Sequence, residues 1–414
     1  MDRMRLIEEN PVGTLYGEEE IEAVRRVMES GEALTRGPDV ELFENEFADY
    51  CGAKYAVAVS SCGAALQLSS KILNLGSNDE VICQANAFWV TYNHLLEKNV
   101  KIICADIDPL TLNIDVDKIE ALITSKTKAI YIVHHGGNPA DLDPLRSIVN
   151  KYNLDLVEDA AHSVGAEYKG QKIGAHSDIA CFSFSTLKNI STLGEGGMLV
   201  TNNKEYADLA IGFRTNYPSG LREKRDVNDL GEVYKPKSIA YKHSGDAWEY
   251  NWLRLDQMGS TYRMSTVQAA VGRVQLQKLD DLIRKRERIA QSYNDIISRL
   301  DCFEKLKVLP NCKHAWHLFS FFIKDGCSIN RDTLLKELYN NYNINIILRF
   351  FPINLGGILR SRGCKEGGCK HCNGLKHVED VWFNKQMSLP ISPQITQQEI
   401  EYIQKALVSS IGVQ

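Results

Sequence analysis

A carboxylate, a hydroxyl and an amine stand close together in one stretch, residues 158–202, EDAAHSVGAEYKGQKIGAHSDIACFSFSTLKNISTLGEGGMLVTN. Asp159 follows the apolar run 154–157, so its carboxylate stands where a buried strand meets a loop. Ser183 lies near the end of a second apolar run, IACFSF, and Lys188 follows in a short loop. Glu195, Gly196 and Gly197 then open a third run, MLV. Short continuous apolar runs bounded by turn residues read as buried strands. An acid, a hydroxyl and an amine on adjacent strand ends suit an aromatic cofactor that has a basic ring nitrogen, a phosphate and an aldehyde. The acid keeps the ring nitrogen protonated and makes the ring an electron sink, and the amine condenses with the aldehyde. Pyridoxal 5'-phosphate (PLP) is such a cofactor, with Asp159 as the acid and Lys188 as the amine. The bland alternative is that both are surface charges, as most Lys and Asp residues are.

The flanking chain supplies elements to hold these groups. Residues 55–59 form an apolar strand, Ser60, Ser61, Cys62 and Gly63 a small polar turn, and Ala64 to Leu66 the start of a helix. A helix N-terminus after such a turn presents backbone N–H groups to an anion. Further apolar runs at 79–83, 100–107 and 128–134 alternate with helical patterns. That alternation predicts a mostly parallel sheet sandwiched by helices, with its ligand crevice at the carboxyl ends of the strands. His134 and His135 stand at one such end, but neighbouring strand side chains point to opposite faces, so no shared metal is expected.

Composition bounds the partners. The 414 residues include 44% apolar and 24% charged, with 48 basic against 53 acidic side chains and a net charge of −5. This balance argues against an electrostatic nucleic-acid binder. No apolar run approaches the length of a membrane span, and the first residues lack a signal-peptide core. Eleven cysteines, several of them (Cys83, Cys104, Cys181) in buried-looking strands, suggest free thiols and a cytoplasmic setting.

The blocks LTRGPDVELFENEFADYCGAKYAVAVSSCGAAL, VHHGGNPADLDPL, EDAAHSVGA, FSFSTLKN, GEGGMLVTNN, YRMSTVQAAVGRVQL and MSLPISP resemble the DegT/DnrJ/EryC1/StrS aminotransferases, over about residues 12 to 410. The resemblance implies an α/β, fold-type I aminotransferase with a smaller C-terminal α+β domain. The expected divisions are an N-terminal arm at 1–13, a large PLP-binding domain at 14–260 and a small domain at 261–414. It implies that the turn with Ser61, Cys62 and Gly63 holds the cofactor phosphate together with Ser183, with Ser185 beside it. Phe88 aligns with the ring that stacks on the pyridine, the alternative being a core aromatic. Trp89, Tyr92 and Asn93 are candidates for lining the pocket. His162 aligns with the residue that touches the ring hydroxyl. Thr261 stands where the family's Asn reaches the neighbouring subunit's phosphate, which implies a homodimer, and Arg263 is a candidate phosphate or carboxylate partner.

The implied reaction moves an amino group from glutamate or glutamine to a keto-sugar, nucleotide-linked or free, or to a keto-cyclitol. Relatives that are dehydratases keep pyridoxamine phosphate and replace the lysine by histidine, whereas this chain keeps Lys188. A dehydratase, a non-catalytic regulator and an aminoarene synthase are the rival readings. Two stretches resist assignment. The long irregular region 214–259 suits substrate or partner-subunit contact. Cys364, Cys369 and Cys372, with His371 and His377, have one two-residue gap, as in a zinc or iron–sulfur site, or form a thiol-bearing insertion near 363–375. Farther on, 314–323 and 344–351 read as strands, 331–342 and 397–410 as helices, and 264–300 as one long helix.

Overall fold

A computed structural model of the chain describes residues 4–35, 37–215, 258–357, 359 and 374–412. The cysteine insertion (Cys364, Cys369, Cys372, His371) and the segment KPKSIAYKHSGDAWEYNW lie outside the described residues. The main sheet has seven strands: β1 (Tyr55–Val59), β2 (Glu80–Gln84), β3 (Lys101–Ala105), β4 (Thr127–Val133), β5 (Asp155–Asp159), β8 (Ile179–Ser183) and β9 (Gly197–Thr201). Their order is β1-β9-β8-β5-β4-β2-β3. β9 alone among them runs antiparallel to its neighbours. Every residue of β2, β8 and β9 is buried, which is the mark of a sheet covered on both faces. The expected α/β architecture with a mostly parallel sheet is thus observed.

Helices α1 (Glu18–Glu29), α2 (Pro38–Cys51), α3 (Cys62–Ile72), α4 (Val90–Glu97), α5 (Leu142–Tyr152) and α6 (Lys204–Phe213) surround this sheet. Then comes α7, Thr266–Ile297, whose 32 residues start at a capping box made by Ser265 and Gln268. Leu279 and Ile283 of α7 join the core around the main sheet. Ile289, Tyr293 and Ile297 join a second core, around the antiparallel sheet of β10 (Phe303–Lys305), β12 (Phe319–Ile323) and β13 (Gln386–Leu389). Helices α8 (Arg331–Tyr342) and α9 (Gln397–Ser410) pack on that second core, and α9 has its own Thr396–Glu399 capping box. A small third sheet joins β6 (Glu167–Tyr168), β7 (Gln171–Lys172) and β11 (Cys312–Lys313).

Three local expectations fail. Residues 344–351 form no strand: Ile344 makes a single bridge to Ile7, and the chain beyond is drawn away toward Asn86. The strand read at 314–323 starts only at Phe319, because Ala315 and Leu318 give their N–H groups to the carbonyls of Gly137 and Gly136. After β3 the chain makes two 3-10 turns, not a helix. Cys83, Cys104 and Cys181 are free and buried, but Cys302 and Cys327 are joined in a disulfide.

Candidate active site

Register brings the chemistry-bearing residues to one edge of the main sheet. Asp159 pairs with Val133 and Cys181, and Gly197 pairs with both Val59 and Ser183. The first residue of β9 therefore faces the last residues of β1 and β8. Gly197 is required there, since a Cβ would come within 2.4 Å of the Ser61 backbone. That close approach lets the turn into α3 lie over the strand ends. Ser61 caps α3, accepting from Ala64 N at 3.1 Å, and it leaves the Cys62 and Gly63 amides at the helix tip. These two amides and the buried Ser183 lie at the same edge of the sheet.

Asp159 is buried, and its carboxylate is oriented by neutral donors. Ala161 N bonds one oxygen at 3.1 Å, and the Thr91 hydroxyl bonds the other at 2.6 Å. The Cys62 thiol lies 3.9 Å from the first oxygen. Burial raises the Asp159 carboxyl against the opposing pull of these donors and of Lys188. Burial and the Asp159 charge together push the Cys62 thiol well up, so it is a neutral neighbour and not a nucleophile. Thr91 is absent from the sequence reading; a threonine in the first turn of a helix carries no signal of its own.

Lys188 is half-buried on a loop held from three sides. Its own N–H bonds Ser185 O at 2.9 Å, Thr186 bonds Gly194 O at 2.8 Å, and Gly13 of the N-terminal segment bonds Thr186 O at 2.8 Å. A Cβ on Gly13 would meet Leu187 O at 2.1 Å. The buried Arg286 guanidinium then ties Gly13 O, Trp316 O and Ile391 O together at 2.5, 3.1 and 2.7 Å. Burial lowers the Lys188 amine to about 8, with Asp159 and Cys62 opposing and Arg349 assisting.

His162 accepts the Gly136 N–H at Nδ1, 3.3 Å, and burial holds the ring neutral, so Nε2 carries the proton and is a donor. His317 lies 4.3 Å from it between ring centres, and Phe350 stacks on it at 5.4 Å. Phe88 is 45% exposed beside Phe350, so it is a crevice residue and the core-aromatic alternative fails. Trp89 is exposed next to it, Asn93 is half-buried, and Tyr92 is buried in the main core. Ser185 is half-buried near Ser183. Thr261 is exposed and bridges Thr215, while Arg263 bridges Val59 at the end of β1. The adjacent histidines part as expected: His134 faces Glu158 at 3.4 Å, and His135 bonds Asn86 and Gln386. No cluster of three or more His, Cys, Asp or Glu residues suited to a metal occurs among the described residues. His317, Phe350 and Arg349 are further crevice residues that the sequence did not reveal.

A model of the DegT/DnrJ/EryC1/StrS aminotransferase family matches residues 15–408. The chain belongs to that family. It is 34% identical over 394 residues to the spore coat polysaccharide biosynthesis protein SpsC of Bacillus subtilis, covering 95% of this chain and 94% of that one. Among solved structures it resembles the aminotransferase TlmJ of Streptoalloteichus hindustanus, with a TM-score of 0.82, 25% identity and coverage of 97% and 98%. It also resembles NtdA of Bacillus subtilis with bound cofactor PMP, with a TM-score of 0.78, 26% identity and coverage of 95% and 81%. The chain is thus a fold-type I, PLP-dependent transaminase, a sugar aminotransferase or a related PLP enzyme. Among the described residues, no helix is long and apolar enough to cross a membrane.

The residues present fit that cofactor. Among the described residues, the hydrogen bonds to the buried Asp159 carboxylate come from neutral donors. The Lys188 charge acts on it without a hydrogen bond, so a protonated ring nitrogen can supply a charged hydrogen bond to it. The α3 tip offers free amides for a phosphate, and Lys188 offers an amine with a depressed pKa.

Proposed function

We propose that the protein transfers an amino group from glutamate or glutamine to a keto-sugar, nucleotide-linked or free, or a keto-cyclitol, as a cytoplasmic homodimer in amino-sugar biosynthesis. The observation that carries this reading is the joint presence, at one sheet edge, of Asp159, the α3 tip and the Lys188 loop. The cofactor, when bound, supplies the electron sink that stabilises negative charge on the donor carbon. The rest is done by the chain. Lys188 anchors the cofactor through its amine and, once displaced by the donor, moves a proton to and from the donor carbon. Its amine at about 8 is basic enough for that work, yet largely neutral just above pH 8. Asp159 would hold the charge on the ring nitrogen, His162 would donate a hydrogen bond from Nε2 to the ring hydroxyl, and Ser61, Cys62, Gly63 and Ser183 would hold the phosphate. Phe88 would cover one ring face, and Thr261 would reach the partner subunit's phosphate.

Mass spectrometry of products from a panel of keto-sugars with glutamate or glutamine tests the reading. An aminated sugar supports it. Loss of a hydroxyl without amine incorporation would instead favour a dehydratase. Cofactor binding with no half-reaction would make the protein a regulator. Retention of Lys188, where dehydratase relatives have histidine, favours transamination.

A further inference from the structure

We propose that Arg286 is a positioning residue for Lys188: its guanidinium clasps together the two chain segments that grip the lysine loop on either flank. This deepens the transaminase reading and rests on it.

Both flanks of Lys188 are held by residues distant in sequence. Before the lysine, the Gly13 N–H bonds Thr186 O at 2.8 Å. Gly13 lies so close to the loop that a Cβ there would come within 2.1 Å of Leu187 O and 2.5 Å of Lys188 O. After the lysine, the buried Asn189 side-chain amide donates to Ala315 O at 2.9 Å and to Val164 O at 3.4 Å. Gly13 and the chain at 315–316 are the segments that Arg286 joins. Its Nη2 donates to Gly13 O at 2.5 Å, and its Nη1 donates to Trp316 O at 3.1 Å and to Ile391 O at 2.7 Å. Thr14, next along the N-terminal segment, is fixed in turn by Gln275 and Gln394, so Gly13 has little room to move.

A guanidinium suits this task better than it suits a core. Arg286 is 1% exposed, its hydrogen bonds go to carbonyls, and its Nε has no partner among the described residues. Burial lowers its pKa to about 10, with the Glu9 charge opposing. A buried cation held by neutral dipoles costs more free energy than an apolar side chain in its place. What it supplies is geometry, a planar fork of donors that reaches three carbonyls in three segments at once. On α7 it stands between Ile283, in the core around the main sheet, and Ile289, in the second core. The clasp therefore sits at the joint of the two cores and sets the lysine loop against both. Capture of PLP needs the Lys188 nitrogen at the aldehyde carbon, where a C–N bond forms as one water leaves. A displacement of about 1 Å can lower such a rate on the order of a hundredfold.

Two ligands separate the placement of the lysine from the rest of the site. PLP bonds to the Lys188 amine, whereas pyridoxine 5'-phosphate, with a hydroxymethyl group in place of the aldehyde, binds without bonding to it. In the apo-protein, Arg286→Met should slow PLP capture about tenfold to a hundredfold, while the Kd of pyridoxine 5'-phosphate stays within about twofold. Arg286→Lys keeps the charge with fewer donors and should fall between Arg286→Met and the parent. Gly13→Ala keeps the guanidinium but drives a methyl group into the loop. It should slow capture to the same order, and it decides the matter if Arg286→Met does not fold. Arg273→Met controls for stability alone, because Arg273 stands on the same helix but pairs with Asp39 and Glu46. It should lower the melting temperature without slowing capture. Equal losses for the two ligands in Arg286→Met, unchanged capture in Gly13→Ala, or slowing in Arg273→Met as large as in Arg286→Met would each overturn the proposal. A parent protein that binds neither ligand would instead remove the transaminase reading itself.

Discussion

Asp159, Ser183 and Gly197 sit where the register of a single sheet puts them, and they form the floor of the crevice. Arg349, Phe350 and His317 form its opposite side, on irregular chain that is held by Asn86, by the 136–137 loop and by the N-terminal segment. The floor is therefore fixed by many backbone bonds that no single side chain controls. The other side depends on a few separate contacts, among them the backbone bonds of Ala315 and Leu318 to the 136–137 loop and the pair of Arg349 with Glu9. This difference suggests a division of labour: the floor holds the cofactor, and the irregular side chooses what reacts with it.

Substitutions on the two sides should separate cofactor effects from substrate effects. The largest is expected on the floor. Asp159→Asn keeps the shape but removes the charge, and turnover should fall by about 10²–10³ with cofactor still bound weakly; unaltered turnover would take Asp159 out of the mechanism. Thr91→Val removes the hydroxyl that orients the same carboxylate. It should weaken PLP about tenfold, read by titrating the apo-protein, and leave donor KM in the loaded enzyme nearly unchanged.

The Lys188 amine gives the next test. A group whose folded-state pKa is lowered to about 8 is neutral, and so nucleophilic, above that pH. The rate of PLP capture by the apo-protein should rise with pH and level off just above 8. A rise continuing toward the ordinary value of 10.5 would mean that burial and Arg349, opposed by Asp159, Cys62 and Glu9, do not set this amine. The smallest effect is expected opposite the floor. Phe350→Ala removes a ring stacked on His162, worth about 0.5–1.5 kcal/mol, and should raise donor KM a few-fold without changing PLP affinity. An equal loss in both constants would erase the proposed division.

The same contrast explains what was legible in the sequence. Asp159, Ser183 and Lys188 announce themselves because buried strands leave continuous apolar runs, and a polar residue at the end of such a run stands out. Helices α8 and α9 were likewise readable, and in the structure Asn330 and Thr396 cap their N-terminal ends. The apolar sequence around 344–351 gave the wrong element. Only Ile344 of that run is buried, Ile347 and Phe351 are exposed, and the stretch is held by separate contacts to Ile7, Asn86 and Glu9, so its β-like composition does not record strand pairing. Thr91, Arg349 and His317 were invisible because their partners are distant in sequence: Thr91 meets Asp159 across 68 residues, and Arg349 meets Glu9 across 340. Local patterns carry no record of such contacts.

Peptide mapping by mass spectrometry, after borohydride reduction of the PLP-loaded enzyme, tests the central claim most directly. The account predicts the reduced cofactor covalently on the peptide that contains Lys188, and its disappearance from that peptide in Lys188→Ala. An unmodified Lys188 peptide, with the cofactor on another lysine or on none, would contradict it.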